Sequence, residues 1–169
     1  MTKEQSLVSA DHVDLDPFTS SQARERTLNT AIVEANISES FEEYLDIFDI
    51  FYDDDIEITS DTGETPIRGK AQVHSLLAEF LMPLHVMAEL NGLLVSIRLS
   101  PIPGDVAGET QSAWTVELIG VSGKTCIVSW HTLRKWNGAR VVYEHHYDVQ
   151  QSGGPLTSDD LGFNVFAAA

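Results

Sequence analysis

The spacing of apolar residues divides the chain into a helical first half and a strand-rich second half. Leu28, Ala31, Ile32 and Ala35 recur on one helix face. "SFEE" follows, and its Ser40 and Glu43 have the spacing of a capping box, which predicts a second helix start. Behind it Phe41, Tyr44, Leu45, Phe48, Phe51 and Tyr52 form an aromatic stripe at helical intervals, ended by Asp53, Asp54 and Asp55. "DIEIT" then alternates like a half-buried strand, and "SDTGETP" reads as a turn. After Gly69 a third helix places Val73, Leu76, Leu77 and Phe80 on one face, with Pro83 as its limit.

Beyond Pro83 the period becomes two. Leu93, Val95, Ile97 and Leu99 alternate, "ETQSAWTVELIG" and "TCIVSWHTLRKW" predict two further strands, and "ARVVYEHHYDV" predicts the last. Asn137-Gly138 marks a hairpin, a turn expected to need positive φ at both central positions. Helices gathered ahead of a meander predict an α+β fold: a curved antiparallel sheet, cone-shaped, with about three N-terminal helices on its concave face. Residues 1–18 are expected to form a mobile arm, 19–150 the folded domain, and 151–169 a Gly/Pro hinge with an apolar tail. That tail's Phe163 and Phe166 could serve as a flap over a pocket.

Composition narrows the partners. The 169 residues are 43% hydrophobic and 21% charged, which suits one soluble domain with a real core. A net charge of −16 opposes binding to nucleic acid or to anionic membranes. One cysteine, Cys126, excludes an internal disulfide and suits a reducing compartment. With no apolar leader at the start and no uncharged apolar run of bilayer length, a cytoplasmic location is expected.

The chemistry concentrates in "YEHHYD", residues 143–148. Neighbouring strand residues point to opposite faces, so His145 and His146 cannot share one task. No spacing of Cys, His or carboxylate supplies a zinc pattern, and the adjacent carboxylates of "DDD" repel each other and favour water. Neither a metal nor a cofactor is expected.

Three stretches carry a resemblance: "FYDDDIEI" (51–58), "TPIRGKAQV" (65–73) and "LRKWNGARVVYEHHYD" (133–148). In this order they resemble the nuclear-transport-factor-2-like superfamily over roughly residues 20–150. They look most like SnoaL-like polyketide cyclases and their relatives ketosteroid isomerase, scytalone dehydratase and limonene epoxide hydrolase. The resemblance implies an apolar pocket between helices and sheet, and a homodimer through the convex sheet face. Counted from Gly138 as in the family, Val141, Tyr143, His145 and Tyr147 would face the pocket, and Val142, Glu144, His146 and Asp148 would face out. On the partner strand Leu133, His131, Ser129 and Ile127 would face in. Trp114, Phe48 and His85 complete the expected lining, His85 by similarity to a functional histidine of scytalone dehydratase. Tyr52 matches a pocket tyrosine of ketosteroid isomerase.

The chain also departs from the family. The isomerase base falls at Ser60, beside Asp61; the epoxide hydrolases' Arg-x-Asp pair has no match in "SAWTVEL"; and their last-strand acid is replaced by His145. What the resemblance then implies is a cofactor-independent cyclase, isomerase or dehydratase acting on an apolar carbonyl compound such as a polyketide or terpenoid intermediate. His145 and His131 would carry the proton, and Tyr52, Tyr143 or Tyr147 would polarise the carbonyl. The alternative is a binding or dimeric accessory protein without catalysis.

Overall fold

The computed structural model describes residues 17–35 and 40–156. Three helices, α1 (Pro17–Ala35), α2 (Phe41–Phe51) and α3 (Lys70–Asn91), accompany six strands: β1 (Tyr52–Ser60), β2 (Ile67–Arg68), β3 (Leu94–Ile102), β4 (Glu109–Ile119), β5 (Thr125–Asn137) and β6 (Arg140–Gly153). The strand order is β2-β1-β6-β5-β4-β3, which makes one α+β sheet. It is mixed rather than antiparallel, because β1 runs parallel to β6. The chain reaches β6 only after the whole meander, and β6 enters between β5 and β1 in the direction of β1. Of the expected arm, residues 17 and 18 already belong to α1, and of the expected hinge and tail, residues 151–153 end β6. The rest of the arm and the flap residues Phe163 and Phe166 lie outside the described residues.

Ser40 caps α2, its hydroxyl accepting the Glu43 amide at 3.2 Å. The buried stripe is Phe41, Tyr44, Ile47 and Phe48, and it packs with Leu28 and Ile32 of α1 and Ile56, Ile58 and Val141 of the sheet. The triple aspartate does not end the helix from outside: β1 already starts at Tyr52, and Asp53–Asp55 belong to it. Helix α3 continues through Pro83, which sits on the exposed side where the carbonyl lacking its amide partner can meet solvent. Gly92 ends it in the left-handed conformation, φ 75°. Among the described residues α3 is long and apolar enough, by length and composition, to cross a bilayer. Here it is a wall of the core, contributing Val73, Leu77 and Leu81.

The β5–β6 hairpin pairs Asn137 with Arg140, so its central residues are Gly138 and Ala139. Gly138 alone has positive φ, 59°, the pattern of a turn with glycine at its first central position. Immediately beyond it the register slips: Trp136 faces Val141 but Lys135 faces Tyr143, leaving Val142 as an extra residue on β6. That bulge sets which side chains face the helices. A second irregularity lies between Ser129 and His131, near Asp148, whose φ is 53°. Further along, Gly153 passes close to β5. A Cβ there would stand 2.2 Å from the Thr125 carbonyl oxygen, at φ +81°. Gly153→Ala is therefore expected to cost about 1–3 kcal/mol in urea denaturation.

Candidate active site

Between the helices and the covered face of the sheet lies a cavity of about 500 Å³. Most of its wall is apolar: Ile58, Leu76 and Leu77, Val95 and Ile97, and the stacked rings of Trp114 and Trp130, 5.1 Å apart. The polar groups in its wall are Tyr44, Tyr52, Glu144 and His146, with exposed Glu64 and Thr65 at the rim.

The face assignment on β6 is the reverse of the expectation. Val141 faces in as expected, but the extra residue at 142 flips the phase after it. Glu144 and His146 therefore line the cavity, while Tyr143, His145 and Tyr147 stand on the opposite face. There His145 is engaged at both nitrogens, Nδ1 with Thr59 at 2.6 Å and Nε2 with Asp61 at 2.9 Å. Its ring stacks between Tyr143 and Tyr147, with centroids 6.5 and 6.2 Å away, and Tyr147 donates to Gln111. His131 shares that face, 3.5 Å from Asp148 and 5.2 Å from the Tyr147 ring centroid.

Strand β5 is inverted for another reason. Its phase was anchored on apolar Leu133, whereas the inward residues are Trp130, Thr132, Arg134 and Trp136. A fully buried arginine is rare enough that alternation read from apolar residues places it outside. Leu133, Ser129 and Ile127 accordingly do not line the cavity, and neither does His85, which stands in α3 with its Nε2 3.7 Å from Glu89. Of the expected residues, Tyr52, Trp114 and Phe48 do line it.

Behind the cavity wall is a polar network in which Arg134 and Glu25 have no exposure. Arg134 donates from Nε to Glu144 at 2.8 Å and from Nη1 to Glu25 at 2.6 Å. Glu25 also accepts from Thr110 at 2.7 Å and Ser112 at 2.5 Å; Asn29 donates to Ser112, and the Trp136 indole to Thr110. Glu144 collects three donors: Arg134 and the Tyr52 hydroxyl on Oε2, and His146 Nε2 on Oε1 at 2.6 Å. Burial alone would raise the Glu144 pKa, but Arg134, His146 and Tyr52 outweigh it and hold the carboxyl well below the usual range. Burial lifts Tyr52 well above the ordinary phenol value, so it remains a donor.

The sequence hides these partners. Ser21, Glu25 and Asn29 recur every fourth residue among Leu28 and Ile32, and Thr110 and Ser112 alternate in phase with Trp114. Polar residues sharing an apolar face were the available signal. Among the described residues no three His, Cys, Asp or Glu side chains converge as a metal site.

Solved structures with the same architecture include a candidate SnoaL-like polyketide cyclase from Jannaschia sp. CCS1. Its TM-score is 0.53 at 10% identity, covering 80% of this chain and 90% of that one. An LEH-like epoxide hydrolase from M. tuberculosis has a TM-score of 0.50 at 15% identity, covering 90% and 93%. A computationally designed 17-OHP binder has 0.53 at 14%, covering 83% and 99%. The fold is the nuclear-transport-factor-2-like fold. No protein-family model matches the sequence, and no curated protein matches it either. One fold can host many chemistries, so function lies in the residues of the cavity itself.

Proposed function

We propose that this protein is a cofactor-independent enzyme that moves a proton on an apolar, carbonyl-bearing small molecule, as a cyclase, isomerase or dehydratase does. The observation that carries this reading is the Glu144–His146 pair, 2.6 Å apart, in the wall of a largely apolar cavity. Glu144 is ionised and accepts; as a neutral imidazole donating to it from Nε2, His146 has an Nδ1 lone pair for a substrate. Nδ1 takes a proton from the carbon beside the carbonyl, leaving an enolate. The adjacent carboxylate stabilises the imidazolium so formed. Return of that proton to another carbon completes an isomerisation; its delivery to a departing hydroxyl completes a dehydration. Arg134 and Tyr52 keep Glu144 charged and fixed, and Glu25 holds Arg134. The 17-OHP binder and the epoxide hydrolase of the same fold support a small-molecule role.

The reading includes a polyketide or terpenoid intermediate as substrate and the cytoplasm as location, supported by the free, buried Cys126. It also includes a homodimer through the open sheet face, where Tyr143, His145, Tyr147, His131 and Leu133 form a half-buried row. Light scattering is expected to give twice the mass of one 18.6 kDa chain; a single-chain mass would reject the dimer. The second reading is a binding protein without turnover, favoured by the complete internal pairing of Glu144.

To separate the two readings, a panel of cyclic ketones is incubated with the protein in heavy water, and deuterium uptake beside the carbonyl is followed by mass spectrometry. Uptake that depends on His146 is the expected result. Uptake untouched by His146→Gln overturns the mechanism, and binding without uptake hands the protein to the second reading.

A further inference from the structure

Helix α2 places one more polar group in the cavity that the mechanism above does not use. Tyr44 is 6% exposed and lines the cavity, yet its hydroxyl makes no hydrogen bond with any described residue. Its oxygen is not among the fully covered unpartnered atoms, so the hydroxyl opens into the cavity with a donor to offer. Burial, then Glu144, raise the Tyr44 pKa against the opposing effect of Arg134, so the group is a donor and not a phenolate. The indole N–H groups of the lining residues Trp114 and Trp130 are unpartnered too, but they are fully covered and not open to a ligand. Tyr44 is thus an open, unused donor in the wall, while the inner carboxylate, Glu144, is already filled by three.

Charge points the same way. Among the described residues no lysine or arginine lines the cavity. The guanidinium of Arg134, behind the wall, is held by two carboxylates, and Glu64 stands at the rim. An anionic ligand would lose its hydration there with no lysine or arginine in the wall to replace it. We infer that the Tyr44 hydroxyl holds an acceptor oxygen of the substrate, and that the substrate is a neutral carbonyl compound rather than a carboxylate, a phosphate or a coenzyme-A ester. This rests on the proton-transfer reading for the meaning of that oxygen, as the carbonyl whose neighbouring carbon loses the proton.

The test separates the two ideas by measuring binding instead of turnover. Wild type and Tyr44→Phe are compared by equilibrium dialysis at pH 7 with 2-acetylnaphthalene, 2-ethylnaphthalene and 2-naphthoate. These share one ring system and differ in having a ketone, no acceptor, or an anion. Wild type is expected to hold the ketone about fivefold more tightly than the hydrocarbon, and the anion at least about tenfold more weakly than the ketone. In Tyr44→Phe the ketone and the hydrocarbon should be held alike, with the melting temperature unchanged because no internal bond is lost. The inference is overturned if the ketone-to-hydrocarbon ratio survives Tyr44→Phe, if naphthoate binds as well as the ketone, or if neither neutral compound binds. A Tyr44→Phe chain that fails to fold also overturns it, since the hydroxyl would then be structural. His146→Gln should retain the ketone preference while losing deuterium uptake, so a failed mechanism is not mistaken for a failed binding site.

Discussion

His146→Gln is expected to lower the rate of proton transfer by about 10²–10⁴-fold, the usual contribution of a positioned acid or base. Glutamine keeps much of the size and can still donate to Glu144, but it presents no basic nitrogen to a substrate. The matching change on the other face, His145→Gln, should leave the rate unaltered. His145 is separated from the cavity by the sheet, and both its nitrogens are engaged, by Thr59 and Asp61. The pair makes a sharp comparison because the residues are adjacent and chemically identical. Single-turnover rates on whichever ketone shows deuterium uptake would measure it, and equal losses at the two positions would remove the assignment of faces from the mechanism.

Arg134→Met is expected to destabilise the fold by about 3–5 kcal/mol, because it leaves Glu25 and Glu144 buried without their cation. Methionine fills much of the volume, so the loss reports charge and not a hole. The pH dependence gives the sign. In the wild type the Glu144 pKa is depressed in the folded state, so its stabilising contribution is present above the ordinary glutamate value of about 4.3 and is lost as pH falls through the folded one. Without Arg134 less opposes desolvation, so that pKa is depressed less and the folded variant takes up a proton more readily than the folded wild type. The stability gap between variant and wild type should therefore narrow as pH is lowered from about 7 to 4, measured by urea denaturation at each pH. A gap that widens on acidification would show that Arg134 does not hold Glu144 ionised.

Much of the architecture was readable from periodicity. The aromatic stripe of α2, its Ser40 cap and the hairpin at Gly138 all follow from local rules, and the structure has them. Pro83 predicts a stop, but proline on a solvent-facing side leaves only one exposed carbonyl and the helix continues. The parallel pairing of β1 with β6 joins residues more than eighty positions apart, beyond any local pattern. The site was harder because alternation gives relative faces and needs an anchor. On β5 the expected anchor is an apolar residue, Leu133, whereas the inward set includes Arg134, neutralised by Glu25 from helix α1. Nothing near Arg134 in sequence announces that partner. On β6 the pattern "VVYEHHY" contains no glycine or proline to mark where the alternation breaks.

The additional residue at Val142 acts on β6 as a frameshift acts on a coded message: everything downstream is read in the other phase until the next irregularity near Asp148. Insertion or loss of a single amino acid at such a point would exchange the histidine offered to a ligand for its neighbour, with strand, turn and architecture kept. Chains of this fold can therefore diverge in chemistry without altering one functional side chain, and positional counting from a shared turn will transfer the wrong member of the pair.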